Sequence, residues 1–306
     1  MLPDRPVANV SGSGRGNSVP LQDQDSPNRR SISLELGANV VSNEDLTSLS
    51  KGDPEEVILY YPWEGVDGVQ LYRQDYRQLE PPGFLDDSVI EIGLKMFQTR
   101  LKDINPDLME QIYIFTPFFY PVLSENSPEV GYSQVRSWTD ADKVDIFQKK
   151  YLVIPINQSF HWFLAIIYHP EYALSEPKEK LQSSIWTLDP LGFERPEVIN
   201  LLSFYLKSEA QEKRGVTVSN KSIIGVKGLI PIQPNWYDCG PYILVFVKTF
   251  MESPEEFLEM IATDDTDLEK LMRWKSEEFE EIRGFLQVEI CRLAKEWSSW
   301  QKEKEK

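Results

Sequence analysis

One cysteine stands where a sulfur can be made reactive. Gln233-Pro234-Asn235-Trp236-Tyr237-Asp238-Cys239-Gly240-Pro241 runs straight into an apolar stretch, Tyr242-Ile-Leu-Val-Phe-Val247, and predicts a buried helix starting near Cys239. A helix start leaves N–H groups unpaired and carries partial positive charge, which favours a thiolate over a thiol. A free thiol, with a pKa of about 8.5, is mostly protonated at neutral pH, so catalysis also needs a base. The chain has two histidines, His161 and His169. His161 opens an apolar run that can hold an imidazole still. His169 precedes Pro170, where that run should turn into solvent, so His161 is the better base. An imidazole that shuttles protons needs an acceptor on its other nitrogen. Asp189 ends the strand-like run Ser184-Ile-Trp-Thr-Leu188, which can pair beside the His161 run. The oxyanion of a tetrahedral intermediate needs donors, and Gln233 offers a side-chain amide beside the backbone N–H of Cys239. Pro234 stiffens the link between them. Together these residues outline a cysteine hydrolase.

Alone, each has a plainer reading: an inert packing cysteine, a satisfied core histidine, an Asp-Pro turn starter. Cys291 sits in a charged helical stretch and reads as packing. No Cys or His pair has metal-ligand spacing, so zinc is set aside and no cofactor is required.

The elements that must position these groups follow from pattern. Residues 1–54, rich in Ser, Gly, Asn, Pro and Asp, read as a disordered arm. Order should begin with a strand at Val57-Ile-Leu-Tyr-Tyr61. A helix should follow Pro81-Pro82-Gly83, with Ser88 and Glu91 at capping-box spacing and Ile90, Leu94, Phe97 and Leu101 on one face. Residues 112–123 look extended and buried. Tyr151–Ile156 and His161–Ile167 form a strand-turn-strand, 184–188 a third strand, 198–209 a helix and 225–232 a fourth strand. Residues 255–300 read as helical throughout, their apolar stripe interrupted by Lys275 and Glu289. Helices flanking a small central sheet make the class α+β.

Composition narrows the partners. The 306 residues carry a formal net charge of −17, which disfavours direct binding to nucleic acid. Two cysteines make no disulfide framework and fit a reducing compartment. No run of about 18 apolar residues is present to span a membrane, and residues 1–30 lack the apolar core of a signal peptide.

Several separated pieces, in order along about 57–262, resemble the Ulp/SENP cysteine peptidases of clan CE, which remove the modifier SUMO. They are Phe84-Leu-Asp-Asp-Ser-Val-Ile90, Phe115-Thr-Pro-Phe-Phe-Tyr120, Val135-Arg-Ser-Trp138-Thr139, Val144-Asp-Ile-Phe147, Ile154-Pro-Ile-Asn157, His161-Trp162, Leu188-Asp-Pro-Leu-Gly192 and Gln233–Gly240. Val144–Phe147 and Ile154–Asn157 look most like the branch that edits poly-SUMO chains. The resemblance implies an adenain-like, papain-like fold with a small mixed sheet. It implies a SUMO-deconjugating isopeptidase that cuts after a C-terminal Gly-Gly through a thioester. His161 matches the base, Asp189 the orienting acid, Cys239 the nucleophile and Gln233 the oxyanion donor. Trp162 matches a wall of the tunnel that admits two glycines, and Phe84, Asp86, Asp87 and Trp138 fall at matching substrate-side positions. The implied partners are SUMO or SUMO-conjugated proteins, and the implied location is the nucleus, with cytoplasm as a second place. The domains so read are the arm over 1–54, the peptidase domain over 55–262 and a helical extension over 263–306 packed on or next to it.

Three positions depart from the family pattern. Phe84 replaces a frequent tryptophan, Asp86 an asparagine, and Pro190 a serine. Asp86 still caps a helix, so little effect is expected of it. Rival readings are a protease for another ubiquitin-like modifier, an acetyl transferase with a similar triad, a non-catalytic SUMO-binding module, and a scaffold acting through its tail helix. The intact set of triad residue types argues against the binding module.

Overall fold

In the computed structural model the described residues are 41–65, 67–141, 143–175, 182–262 and 268–305. The expected arm lies outside them up to residue 40. Its last part is a correction: Asn43–Ser50 is a helix, α1, begun by a capping box between Ser42 and Asp45. The carbonyls at its C-terminal end accept from Arg73 (at Ser48 and Leu49) and from Arg77 (at Ser50). Low hydrophobicity hid this helix, because arginines that follow it in the chain hold it in place.

Val57–Tyr61 (β1) and Val69–Tyr72 (β2) form an antiparallel pair, followed by the short helix Arg73–Arg77 (α2). Asp87–Ile104 (α3) buries Ile90, Leu94, Phe97 and Leu101, the stripe seen in the sequence. Its cap is Asp86, which accepts from Val89 N–H at 3.0 Å, while Ser88, at capping-box spacing from Glu91, lies within the first turn. After Pro106–Gln111 (α4), the extended run expected over 112–123 lasts only through Ile112–Ile114 (β3). Phe119–Leu123 is a helix, α5, whose Phe119 ring packs 3.9 Å from Phe115. Tertiary aromatic contact wins there over local strand preference. Pro128–Val135 (α6) and Trp138–Ala141 (α7) complete this stretch.

Tyr151–Gln158 (β4) and His161–Tyr168 (β5) are a hairpin turned at Ser159 and Phe160, both at positive φ. Ser183–Leu188 (β6) pairs antiparallel with β5. Pro196–Arg214 (α8) crosses over to Ile223–Lys227 (β7), parallel to β6. The five-stranded sheet runs β3-β4-β5-β6-β7 and is mixed, since β3 is parallel to β4. The strand expected over 225–232 stops at Lys227, and a loop leads on to Cys239–Glu252 (α9). The continuous helix expected over 255–300 is instead Pro254–Ile261 (α10), Leu268–Leu271 (α11) and Ser276–Lys304 (α12), with buried Trp274 in the break.

Alternation along β5 sorts the core. Trp162, Leu164, Ile166 and Tyr168 join α3, α9 and α12 in one cluster, while Phe163, Ala165 and Ile167 join α5 and α8 in the other. Ile282, Leu286, Ile290 and Leu293 of α12 lie in the first cluster, packed with residues of α3 and α9. Lys248 of α9, fully buried, donates to Glu252 at 2.7 Å and to Glu278 of α12 at 2.9 Å. Among the described residues no helix is long and apolar enough to cross a membrane.

Candidate active site

Three elements of this fold end at one place. Cys239 is the first residue of α9, buried, with Asp238 in the N-cap position. Asp238 makes no side-chain cap. Its Oδ1 instead accepts from Arg283 Nε at 2.9 Å and its Oδ2 from Asn235 Nδ2 at 2.5 Å. The first-turn N–H groups are thus not neutralised by their own cap residue, and the positive end of α9 stays directed at the sulfur. Gly240 explains why Cys239 is followed by glycine. A Cβ at 240 would lie 2.9 Å from Leu85 Cβ and 3.2 Å from Ile90 Cδ1, so only glycine lets α9 approach the start of α3 this closely.

His161 starts β5, where the tight hairpin turn leaves the ring at the sheet's end. Its Nε2 lies 2.8 Å from Asp189 Oδ1, and the Cys239 side chain is close enough to act on the charge of the ring. With Nε2 engaged, Nδ1 is the nitrogen left for sulfur. Burial pushes the imidazole pKa down, but Asp189 and then Cys239 outweigh it and raise the group to about 9. Asp189 follows β6 with its carboxylate sealed from solvent. Burial alone would raise its pKa; the hydrogen bonds from His161 and from Leu191 N–H, with the charges of His161 and Arg195, hold it below the usual carboxylate value.

Gln233 is buried in the loop before α9. Its N–H donates to Pro190 O at 2.9 Å, which ties this loop to the Asp189 corner. One N–H of its Nε2 donates to Asn235 O at 2.7 Å, and among the described residues its buried Oε1 has no hydrogen-bond partner. Trp162 is buried with Nε1 donating to Leu85 O at 2.7 Å, which sets it against the Phe84-Leu85 segment that also meets Gly240. Phe84 itself is half exposed. Asp86 caps α3, and Asp87 is hydrogen-bonded to Asn157 of β4. Trp138 is not brought to this group; it is partly buried in the other cluster, 6.2 Å from the Phe119 ring. His169 lies at the far end of β5 in a left-handed conformation, stacked 4.5 Å from Tyr172 and paired with Glu171.

Two arginines here escaped sequence reasoning. Arg195 binds Asp189, and Arg283 binds Asp238 together with carbonyls on both sides of the site. The one signal for Arg283 was a charge set directly beside Ile282 on an apolar stripe. Arg195 gave none. Among the described residues no cluster of three or more His, Cys, Asp or Glu side chains is placed to hold a metal ion. The arrangement suits attack by sulfur on a carbonyl, with an imidazole to carry the proton.

Comparison with known proteins bears on what such a site acts upon. Residues 83–284 match the model of the Ulp1 protease family, C-terminal catalytic domain. Ubiquitin-like-specific protease 2 of Schizosaccharomyces pombe is 30% identical over 97% of this chain and 50% of its own length. Probable ubiquitin-like-specific protease 2A of Arabidopsis thaliana is 31% identical over 71% of this chain and 30% of its own. Sentrin-specific protease 7 of Rattus norvegicus is 26% identical over 66% and 26%. The chain thus spans half or less of the length of these relatives. Among solved structures, one described as a de-sumoylating protease superposes with a TM-score of 0.70 at 25% identity, covering 81% of this chain and 95% of that one. The Ulp1 protease domain in complex with Smt3, the yeast ortholog of SUMO, gives 0.52 at 22% over 83% and 96%, a likeness of fold.

Proposed function

The chain belongs to the Ulp1 protease family, and from that premise we propose that it is an isopeptidase that removes SUMO from lysine side chains, poly-SUMO chains included. The bond cut is the one after the modifier's C-terminal Gly-Gly. Cys239 is the nucleophile, His161 the acid and base, Asp189 its orienting partner and Gln233 an oxyanion donor.

The observation that supports this most is the placement of Cys239 at the start of α9 near a His161 ring that bonds buried Asp189 at 2.8 Å. On this reading the Cys239 sulfur bonds to the carbonyl carbon of the terminal glycine, and the carbonyl oxygen takes the negative charge. N–H groups at the start of α9 and the side-chain amide of Gln233 stabilise that oxygen. The carbon–nitrogen bond breaks as His161 gives its proton to the departing lysine amine. Water then attacks the thioester, His161 takes the water's proton, and the modifier leaves as a carboxylate. A pKa raised to about 9 makes the imidazolium the resting form at neutral pH, ready for the first of these transfers.

A folded protein substrate fits the surroundings. Among the described residues, five of the nine exposed large apolar side chains flank these groups in the chain: Phe84, Phe160, Phe193, Ile232 and Trp236. Apolar side chains gathered at a site's rim are a protein-binding feature. Trp162 and Phe84 are assigned to the walls that select glycine, since a side chain on the substrate would collide there. Asp86 and Asp87 support that wall. Nuclear action is assigned on family grounds.

SUMO carrying a C-terminal electrophile tests the assignment. The expected result is an adduct at Cys239, together with cleavage of a SUMO–lysine linkage that falls by at least about 10³-fold in Cys239→Ser. No adduct, or normal cleavage by that variant, would reject it, and a panel of other modifiers reads out selectivity.

A further inference from the structure

Asp189 has two carboxylate oxygens, and only one of them meets His161. Oδ1 accepts from His161 Nε2 at 2.8 Å and from Leu191 N–H at 2.8 Å. Oδ2 is held by Arg195, with Nε and Nη2 each 2.7 Å away. The chain is built to bring this arginine back. Gly192, at a φ of +78°, reverses the backbone just after Asp189-Pro190-Leu191, with Gly192 N–H donating to Asp189 O at 2.7 Å. Arg195 then occupies the position before Pro196 starts α8. Its guanidinium is seated among aromatic rings, with Cζ 4.2 Å from the centre of Phe163 and 5.6 Å from Phe193. Phe163 is on the same strand as His161, and their rings are 6.0 Å apart. Glu197, half exposed, lies 3.8 Å from the guanidinium.

We propose that Arg195 is a positioning residue of the site, one that keeps the Asp189 carboxylate ionised and turned so that Oδ1 alone serves His161; this rests on the reading of Cys239, His161 and Asp189 as a triad. A sealed carboxylate facing a single imidazole would be drawn toward its neutral form, and a neutral carboxyl no longer stabilises an imidazolium. A planar fork on the second oxygen opposes that and blocks rotation of the carboxyl group. The bracing rings keep the fork in place without spending a hydrogen bond on it.

The experiment compares Arg195→Gln, Arg195→Lys and Cys239→Ser on SUMO bearing a C-terminal fluorogenic amide, with kcat and KM measured from about pH 3 to pH 9 and a thermal melt for each protein at each end of that range. Arg195→Gln should lower kcat about 10- to 100-fold, the scale of one charge-assisted hydrogen bond, with KM little changed. Its acidic limb should move to higher pH, because Asp189 would take a proton more readily. Arg195→Lys should return the limb to its original pH while recovering only part of kcat. A folded Arg195→Gln protein with wild-type kcat and an unmoved acidic limb overturns the proposal. If that variant does not melt cooperatively, Arg195→Lys decides, and wild-type kcat there overturns the need for a fork. An inactive wild type, or activity that survives Cys239→Ser, would instead remove the triad reading beneath it.

Discussion

Asp86 carries a charge that its surroundings disfavour. It caps α3 and sits beside Asp75, itself buried and accepting from Tyr72 N–H at 2.8 Å. Burial first, and then the hydrogen bond with Asp75, raise Asp86 to about 7, against the opposing pull of Val89 N–H. Below that pH the protonated carboxyl donates to Asp75 much as an amide would. The expectation that replacing the family's asparagine here has little effect therefore needs revising: the cap survives, but a titration is added. A carboxyl whose pKa is raised on folding binds more protons in the native state, so stability falls as pH climbs from about 4 to about 7. Asp86→Asn keeps the cap and supplies a permanent donor. It should match the wild type near pH 4 and be more stable by about 1–2 kcal/mol at pH 8. Urea denaturation at both pH values checks this, and a gain that does not grow with pH would contradict it.

At the scale of elements, the sequence disclosed what is carried by local pattern and missed what is carried by contact across the chain. The apolar run after Cys239, the paired runs around Asn157–Phe160 and the stripe on α3 each reveal an element through its own periodicity, and with them the positions of Cys239, His161 and Asp189. Helix α5 was hidden because its aromatic residues read equally as strand. The arginines were hidden because their partners are distant. Arg283, buried on α12, donates to Gln78 O at 2.9 Å and Gly83 O at 2.8 Å on one side of the site. On the other it donates to Tyr237 O at 3.1 Å and to the Asp238 carboxylate. One guanidinium thus joins the turn before Phe84-Leu85 to the loop before Cys239. Arg283→Met would leave the Asp238 carboxylate and several carbonyls without their donor. A loss of about 3–5 kcal/mol in unfolding free energy is expected, as for other broken buried pairs. Urea titration of the variant measures it, and a loss below about 1 kcal/mol would mean that water replaces the guanidinium at little cost.

For the whole molecule, the question is how much chain the site needs. The family match covers 83–284, yet the first core cluster draws on both sides of that span. Leu59, Leu71 and Leu79 precede it, and Ile290 and Leu293 follow it, all buried. Tyr76 adds a hydrogen bond to Gln287 O at 3.3 Å, and Asp45 of α1 pairs with Lys295 of α12 at 2.6 Å. We propose that the folding unit reaches beyond 83–284 at both ends, taking in α1 and the β1–β2 pair on one side and the rest of α12 on the other. Burying an aliphatic side chain contributes about 1.5–3 kcal/mol, so these five alone account for about 7–15 kcal/mol. That is comparable to the entire stability of an ordinary domain. A protein cut to 83–284 should therefore show no cooperative thermal transition, whereas the 306-residue chain should melt cooperatively, and the proposed cleavage of a SUMO–lysine linkage should be confined to the longer protein. Circular dichroism melts beside a cleavage assay decide the matter. A cooperative, active 83–284 fragment would mean that α12 and the β1–β2 pair cover a core already stable without them.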